Sequence, residues 1–369
     1  MASRLGTRTA IVSRALSRLA ASAGRRRKPT APRRILIAHH LLLGDTLMLT
    51  PLIAKLRMRY PEAEIVMTTP KAIAPLYEKQ PYGLIAWPFD PRVPATVAAM
   101  FERPGFDLAV VPGDNRHSWL AAALGARWIV AHDGAPPRYR SWPVDELIGY
   151  PDRPAAWGDT IAQLVDGQPP ALYDPKDWPA PSFAPFTLPD KPYAVLHVGA
   201  SSSLKFWEPR KWLALASHLG NQGLGVVWSG GGKETEIVKE IDQSARYQSY
   251  AGMLDLPQLW QLIRNARLLI CPDTGVAHLG RIVGTPTVAL FGPGSGILSG
   301  AGAFWGNSQF KAASIEPFPC RDQHRVFNRE VRSLHLCRRT PSQCKNNLCM
   351  QAITVDMVVG TISDFPDKH

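Results

Sequence analysis

Beginning near Arg33, short apolar runs alternate with stretches in which apolar residues recur every three or four positions. The runs at 35–39, 65–69, 84–87, 106–111 and 127–131 have the length and β-branched content of buried strands. Between them, 46–60, 73–78, 93–101 and 118–124 carry helical periodicity. Pro61 stops the first of these helices and Gly125 the last. Residues 41–45 read as the loop that leads into the first helix. A second series follows the same rule, with strands at 193–198, 225–228, 268–271 and 287–291. Its helices fall at 208–219, 233–243, 256–265 and 275–283, with Pro209 suited to a first turn. Strands that alternate with helices predict parallel sheets covered on both faces.

Between the two series, residues 169–192 hold eight of the 34 prolines. Proline removes a backbone donor, so this stretch fits neither a helix interior nor a central strand. It reads as an extended interdomain connection. The chain of 369 residues is therefore expected to divide into a basic arm (1–32), an N-terminal α/β domain (33–168), the linker (169–192) and a C-terminal α/β domain (193–350). A closing helix at 351–369 either stands alone or packs back on the N-terminal domain. Two Rossmann-like domains facing each other would form a cleft, with ligands beyond the carboxyl ends of the strands.

Composition changes this picture only at the N-terminus. Hydrophobic residues make up 45% and charged residues 20%, which excludes a disordered chain, a collagen and a disulfide mini-scaffold. The best membrane-span candidate, 119–131, is short and contains Arg127. The net charge of +12 is concentrated in residues 1–34, which hold ten Arg or Lys and no acid. The remainder carries 32 basic against 30 acidic residues, so the body is nearly neutral and is not expected to bind nucleic acid. In the arm, Leu5, Val12, Leu16 and Leu19 share a helical face, Arg4, Arg8, Arg14 and Arg18 fall largely on others, and Arg25 to Lys28 follow. This pattern suits either an anionic membrane surface or a solvated, disordered tail. Arg14 and Arg18 interrupt any signal-peptide core, although the segment has some likeness to a mitochondrial presequence.

Candidate chemistry lies at strand-to-helix junctions. One is Ser229-Gly230-Gly231-Gly232-Lys233-Glu234, where glycines let a backbone approach a ligand or simply form a flexible turn. Another is Pro272-Asp273-Thr274-Gly275-Val276-Ala277-His278. A helix start there offers N–H donors and a positive dipole end to a diphosphate, unless Asp273 or Thr274 only caps it. Lys205, in a loop after a strand, either steadies a departing diphosphate or is a solvated lysine. Gly44-Asp45 sits between strand and helix in the first series. Asp45 is there either an N-cap or a carboxylate that takes a proton from an acceptor hydroxyl. His39 and His40 beside it read as structural. No Asp-x-Asp motif occurs, which favours leaving-group stabilisation by lysine and helix dipole over a divalent ion.

In this order, these pieces resemble glycosyltransferase family 9, the heptosyltransferases of lipopolysaccharide core assembly. The likeness is strongest over 254–293, LDLPQLWQLIRNARLLICPDTGVAHLGRIVGTPTVALFGP. Gly44-Asp45-Thr46 with Leu49-Thr50-Pro51-Leu52 and Tyr60-Pro61, then Phe106-Asp107-Leu108 and Arg116, extend it through the first series. The resemblance implies a GT-B fold and an inverting, metal-independent transfer at the inner face of the cytoplasmic membrane. It implies Asp45 as general base and Gly44 beside it on the acceptor side. It places Lys205, Gly230, Gly231, Glu234, Asp273, Thr274, Gly275 and His278 around the donor, Glu234 at the ribose. Cys271 departs from the polar residue usual there. The implied donor is a nucleotide-diphosphate sugar, ADP-heptose by default. The implied acceptor is an anionic or lipid-linked glycan, for which Arg116, Arg138 and Arg140 are candidate contacts.

Cys320, Cys337, Cys344 and Cys349 cluster in sequence without a Cys-x-x-Cys pair. They are either free thiols or a structural Fe or Zn site, a feature the resemblance allows; no cofactor is expected for catalysis. Two other readings compete with transfer: a catalytically silent GT-B scaffold at the membrane, and a nucleotide-sugar epimerase. Product analysis separates them.

Overall fold

Hydrophobic strands buried on both faces require covering helices, and each half of the chain supplies them. The structure, a computed structural model, describes residues 4–366, with side chains from Gly6 onward. The side chains of Arg4 and Leu5, the first three residues of the arm and the last three of the closing helix lie outside the described residues. Two units result. One comprises residues up to 153, 158–171 and 325–333; the other comprises 154–157, 172–324 and 334 onward.

The first unit contains α1 (Arg4–Ala21), β1 (Arg34–Ile37), α2 (Leu43–Leu47), α3 (Thr50–Arg59), β2 (Glu64–Thr69), β3 (Leu84–Pro88), α4 (Pro94–Phe101), β4 (Leu108–Val111), α5 (Ser118–Ala123), β5 (Trp128–His132) and β6 (Glu146–Ile148). Its sheet has the order β3-β2-β1-β4-β5-β6, and every pairing is parallel. Leu36, Val66, Ala109 and Ile129 form one continuous core with residues of α4 and α5. The order reverses between β1 and β4, which is where a sheet of this type opens a crevice. The short helix α6 (Trp157–Ala162) begins at the boundary between the units.

The arm is a folded part of this unit. Helix α1 packs on α4 and α5. Its inward stripe is Thr7, Ile11, Ala15 and Leu19, with Thr7 and Ala15 buried, while Val12 and Leu16 remain exposed. The apolar face expected from the leucines is therefore rotated: small residues at positions 7 and 15 allow the close approach. Arg14 Nη2 donates to Phe101 O at 2.9 Å. Arg26 bonds the Asp145 carboxylate through Nε at 2.6 Å and Nη2 at 2.5 Å. Ordered contacts of this kind replace the disordered tail.

The second unit contains β7 (Tyr193–His197), α7 (Pro209–Asn221), β8 (Gly225–Ser229), α8 (Thr235–Ile241), β9 (Gln248–Ser249), α9 (Leu256–Arg264), β10 (Leu268–Pro272), α10 (Gly275–Val283), β11 (Thr287–Phe291) and β12 (Phe310–Ser314). Its sheet runs β12-β11-β10-β7-β8-β9, again wholly parallel, and reverses between β10 and β7. The proline-rich segment from Leu172 groups with this unit.

Two boundaries differ from expectation. Strands β13 (Arg325–Val326) and β14 (Arg329–Glu330) form an antiparallel hairpin that belongs to the first unit, although the sequence around them belongs to the second. After α11 (Leu348–Gln351), the closing helix α12 (Val355–Ser363) packs on α7, β11 and β12 of the second unit, not on the N-terminal one. Val358 is fully buried in that core, and Val355, Val359 and Ile362 pack against it.

Candidate functional site

In the second unit the loops after β7, β8, β10 and β11 converge on one sheet edge. The loop after β7 turns at Ser202, whose Oγ accepts the Leu204 N–H, and this places Lys205 over the end of β10. Lys205 Nζ donates to Asp273 O at 2.7 Å and to Asp273 Oδ2 at 2.8 Å. The pair thus spans the point where the strand order reverses. The Lys205 side chain is 23% exposed and that of Asp273 12%.

Thr274 is the N-cap of α10 with extended backbone, yet its side chain makes no capping hydrogen bond. Thr274 and Gly275 are half-exposed. The helix start is therefore not closed off by its own side chains, and its N–H groups and dipole lie beside the lysine.

Glycines act here by removing obstacles. A Cβ on Gly294, after β11, would stand 2.2 Å from Asp273 Oδ2, so that loop can pass the carboxylate only without a side chain. A Cβ on Gly230 would meet Glu234 Cβ at 2.8 Å, and one on Gly231 would meet Glu234 Oε2 at 2.9 Å. The glycine run after β8 thus makes room for Glu234 to fold back over it. Glu234 also lies against Gly199, after β7, so it borders the loop that carries Lys205.

His278 is placed differently from expectation. Its ring is only 5% exposed and its Nδ1 is buried without a hydrogen-bond partner. Burial, then the charges of Arg281 and Lys205, push its pKa well below the usual range, so the ring is neutral. It lies beneath the first turn of α10. His197 ends β7 as another buried ring, bonded to Ser229 Oγ at 3.1 Å, and burial pushes it down to about 4.

In the first unit, His39 after β1 is fixed by its N–H to Thr68 Oγ1 at 2.8 Å, and its Nδ1 accepts the Leu41 N–H. The segment expected to be loop already coils at Leu43, so Gly44 and Asp45 lie in α2. The N-cap is Leu42, with no side-chain capping bond; Asp45 sits in the first turn and is half-exposed. The capping reading for Asp45 is therefore set aside.

The loop after β4 carries the other charged cluster. Asp114 is 6% exposed and takes Arg116 Nε at 2.9 Å on Oδ1 and Arg116 Nη2 at 2.7 Å on Oδ2. Arg140 Nη1 adds 2.6 Å to Oδ2. Burial pulls the Asp114 carboxyl up, but the hydrogen bond and charge of Arg116 and the charge of Arg140 outweigh it and hold the group below its ordinary value. Arg138, on the same turn as Arg140, is exposed. The structure thus brings Arg116 and Arg140 together. It also adds residues that sequence reasoning missed: Asp114, Asn115, and, from the hairpin, Asn328 and Arg329. Only the polar run Gly113-Asp114-Asn115-Arg116 after a strand could have pointed to the first two.

Of the clustered cysteines, Cys320 and Cys337 lie close enough to Cys349 to act on its thiol, and Cys344 is half-exposed. Among the described residues no group of three or more His, Cys, Asp or Glu is placed to hold a metal ion. Cys349 is buried, and burial, then Cys320 and Cys337, raise its thiol. None of the five cysteines is in a disulfide. Cys271 is buried in β10, where burial and then Asp273 push its thiol up, so it is an inert packing residue.

Two six-stranded parallel units, each with a reversal of strand order, define the GT-B class of fold. The model described as "Glycosyltransferase family 9 (heptosyltransferase)" matches residues 167–328, less than half of the chain, and over that stretch the chain is similar to the family. It is 32% identical to lipopolysaccharide heptosyltransferase 3 of Escherichia coli over 36% of this chain and 40% of that one. It is 25% identical to lipopolysaccharide heptosyltransferase 2 of Salmonella typhimurium LT2 over 71% and 83%. The matched stretch spans about two fifths of the length of the first curated relatives. Among solved structures, E. coli ADP-heptose lps heptosyltransferase II superposes with a TM-score of 0.66 at 20% identity, covering 90% of this chain and 97% of that one. The iron-containing dodecameric glycosyltransferase TibC of enterotoxigenic E. coli H10407 gives 0.57 at 14%, covering 91% and 79%. At these identities the structures speak to fold alone; the iron belongs to that protein.

Proposed function

We propose that the chain is a glycosyltransferase that moves a sugar, heptose by the names of its relatives, from an ADP-linked donor to an anionic or lipid-linked glycan. The observation that carries this reading is the Lys205–Asp273 pair beside the uncapped start of α10. A lysine and a helix dipole together neutralise a diphosphate as it leaves. Asp273 holds the ammonium in place, and Glu234 accepts from the ribose hydroxyls.

Transfer is a single displacement with inversion. The acceptor oxygen bonds to the anomeric carbon as the bond from that carbon to the diphosphate oxygen breaks. Asp45 takes the acceptor's proton. A carboxylate is a weak base, so the proton moves late, once the carbon carries positive character. The absence of an Asp-x-Asp sequence supports a reaction without a divalent ion.

Calorimetry with ADP tests the donor site. Lys205→Ala is expected to weaken ADP about tenfold or more, the effect of losing a charge-assisted contact. Undiminished affinity, or loss of transfer on adding EDTA, overturns the reading.

Helix α1 is the proposed membrane contact. Among the described residues no helix is long and apolar enough to cross a membrane. Val12 and Leu16 are exposed beside Arg8, with Arg18, Arg25 and Arg27 also exposed. An exposed apolar pair with a cation beside it, on a helix rich in further exposed arginines, suits an anionic lipid surface at the cytoplasmic face. Because α1 is part of the core, its deletion is a poor test. The double variant Val12→Asp with Leu16→Asp is expected to abolish sedimentation with phosphatidylglycerol vesicles; equal sedimentation refutes the contact.

A further inference from the structure

The hairpin of β13 and β14 reaches the first unit from more than two hundred residues downstream. Its turn residues, Phe327 and Asn328, both have positive φ, 46° and 67°. That tight reversal sets Asn328 and Arg329 against the loops after β4 and β5. Arg329 is 2% exposed and supplies every face of its guanidinium: to Gly113 O, to Asp133 O at 2.5 Å, to His132 O at 2.8 Å and to Asn115 Oδ1 at 2.9 Å. Its Cζ also lies 5.4 Å from the Tyr150 ring centroid. Buried donors matched to buried carbonyls fix both loops in one arrangement. Beside it, Asn328 Nδ2 donates to Asp114 Oδ2 at 3.0 Å.

Asp114 thereby becomes the shared anchor of three residues: Arg116 and Arg140, and Asn328 from the hairpin. One carboxylate faces two arginines, with the Arg329 cation behind, so the cluster keeps an excess of positive charge. Arg116 turns Nε and Nη2 to Asp114, and its side chain is still 61% exposed. A guanidinium held by a carboxylate on one edge presents a fixed edge to an anion on the other.

We infer that Asn328 and Arg329 are positioning residues for an anion receptor, Arg116 with Arg140, that takes a carboxylate or phosphate group of the acceptor. The inference rests on the transferase reading only for the word acceptor; the receptor itself stands on the geometry.

The test uses the full chain in a Lys205→Ala background, which removes the proposed phosphate contact of the second unit. Calorimetric titration is made with inorganic phosphate and, separately, with glucuronate; the tighter of the two identifies the anion source. Arg116→Ala is expected to weaken that anion about tenfold, and Asn328→Ala about threefold or more, with melting temperature nearly unchanged. The pH profile separates positioning from mere packing. Asn328 donates to the charged form of Asp114, so its loss raises that carboxyl and moves the acid limb of anion binding to higher pH. Should Asn328→Ala fail to fold, Asn328→Gln, which shifts the amide by one methylene, carries the same comparison. Anion affinity and acid limb both unchanged in the Asn328 variant, or affinity unchanged in Arg116→Ala, overturns the proposal. No nucleotide is present, so this result is independent of whether ADP binds the second unit.

Discussion

Acidification from about pH 7.5 to about 5.5 is expected to remove on the order of 5 kcal/mol of stability, most of what a typical domain has. Four histidines exposed by less than a tenth carry most of this effect, and His117, which burial first of all pushes down to about 3, adds to it. His39, His132, His197 and His278 are exposed by 0%, 1%, 6% and 5%. Burial is the first cause of a lowered pKa in each: His132 and His197 are pushed to about 4, His39 and His278 well below the ordinary value. In the unfolded chain each ring takes a proton near pH 6.5, whereas in the native state it stays neutral. Their burial is therefore harmless above that pH, and stability is lost as the pH falls from about 6.5 toward the native values, at about 1.4 kcal/mol per pH unit for each ring. Thermal melts across this window measure it. His132→Gln and His197→Gln should each flatten the slope by one proton. A melting temperature that is level between about pH 6.5 and 5 would contradict the neutral assignment.

Three of these four rings sit next to the strand ends that carry the proposed chemistry: His39 after β1, His197 at the end of β7, and His278 under the start of α10. His39 already read as structural in the sequence, whereas His278 read as a donor contact, because the sequence does not show which ring the fold buries.

The same limit explains which elements were legible. The central strands are uninterrupted apolar runs, and their positions followed directly from the pattern. The edge strands β6, β9 and β12 did not stand out. Each is half solvated, as in Phe310–Ser314, where only Ala313 is fully buried. Asp45, Lys205 and Asp273 could be placed after strands, yet the ion pair joining Lys205 to Asp273 is a tertiary fact. The hairpin residues read as polar loop, and nothing local in Arg325-Val326-Phe327-Asn328-Arg329-Glu330 says that Arg329 will be buried within the first unit. In α1 the amphipathic pattern was visible, but the docking stripe was set by the small residues Thr7 and Ala15.

Asp45→Asn is expected to lower transfer by about a hundredfold to ten-thousandfold, the range over which a positioned general base acts, while leaving ADP affinity and melting temperature nearly unchanged. The amide keeps the size of the side chain and removes its basicity. Leu42, not Asp45, is the N-cap of α2, so the substitution does not remove an N-cap residue. The proposed donor contacts, Lys205 and Asp273, belong to the second unit, so binding and chemistry should separate. Single-turnover transfer of a radiolabelled donor sugar reads the step itself, free of product release. Turnover at the wild-type rate would remove Asp45 from the reaction and leave the base to be sought among other groups at the end of β1. A parallel fall in ADP affinity would instead mean that the variant disturbs the fold, because a group that acts only on the acceptor's proton has no contact with the nucleotide.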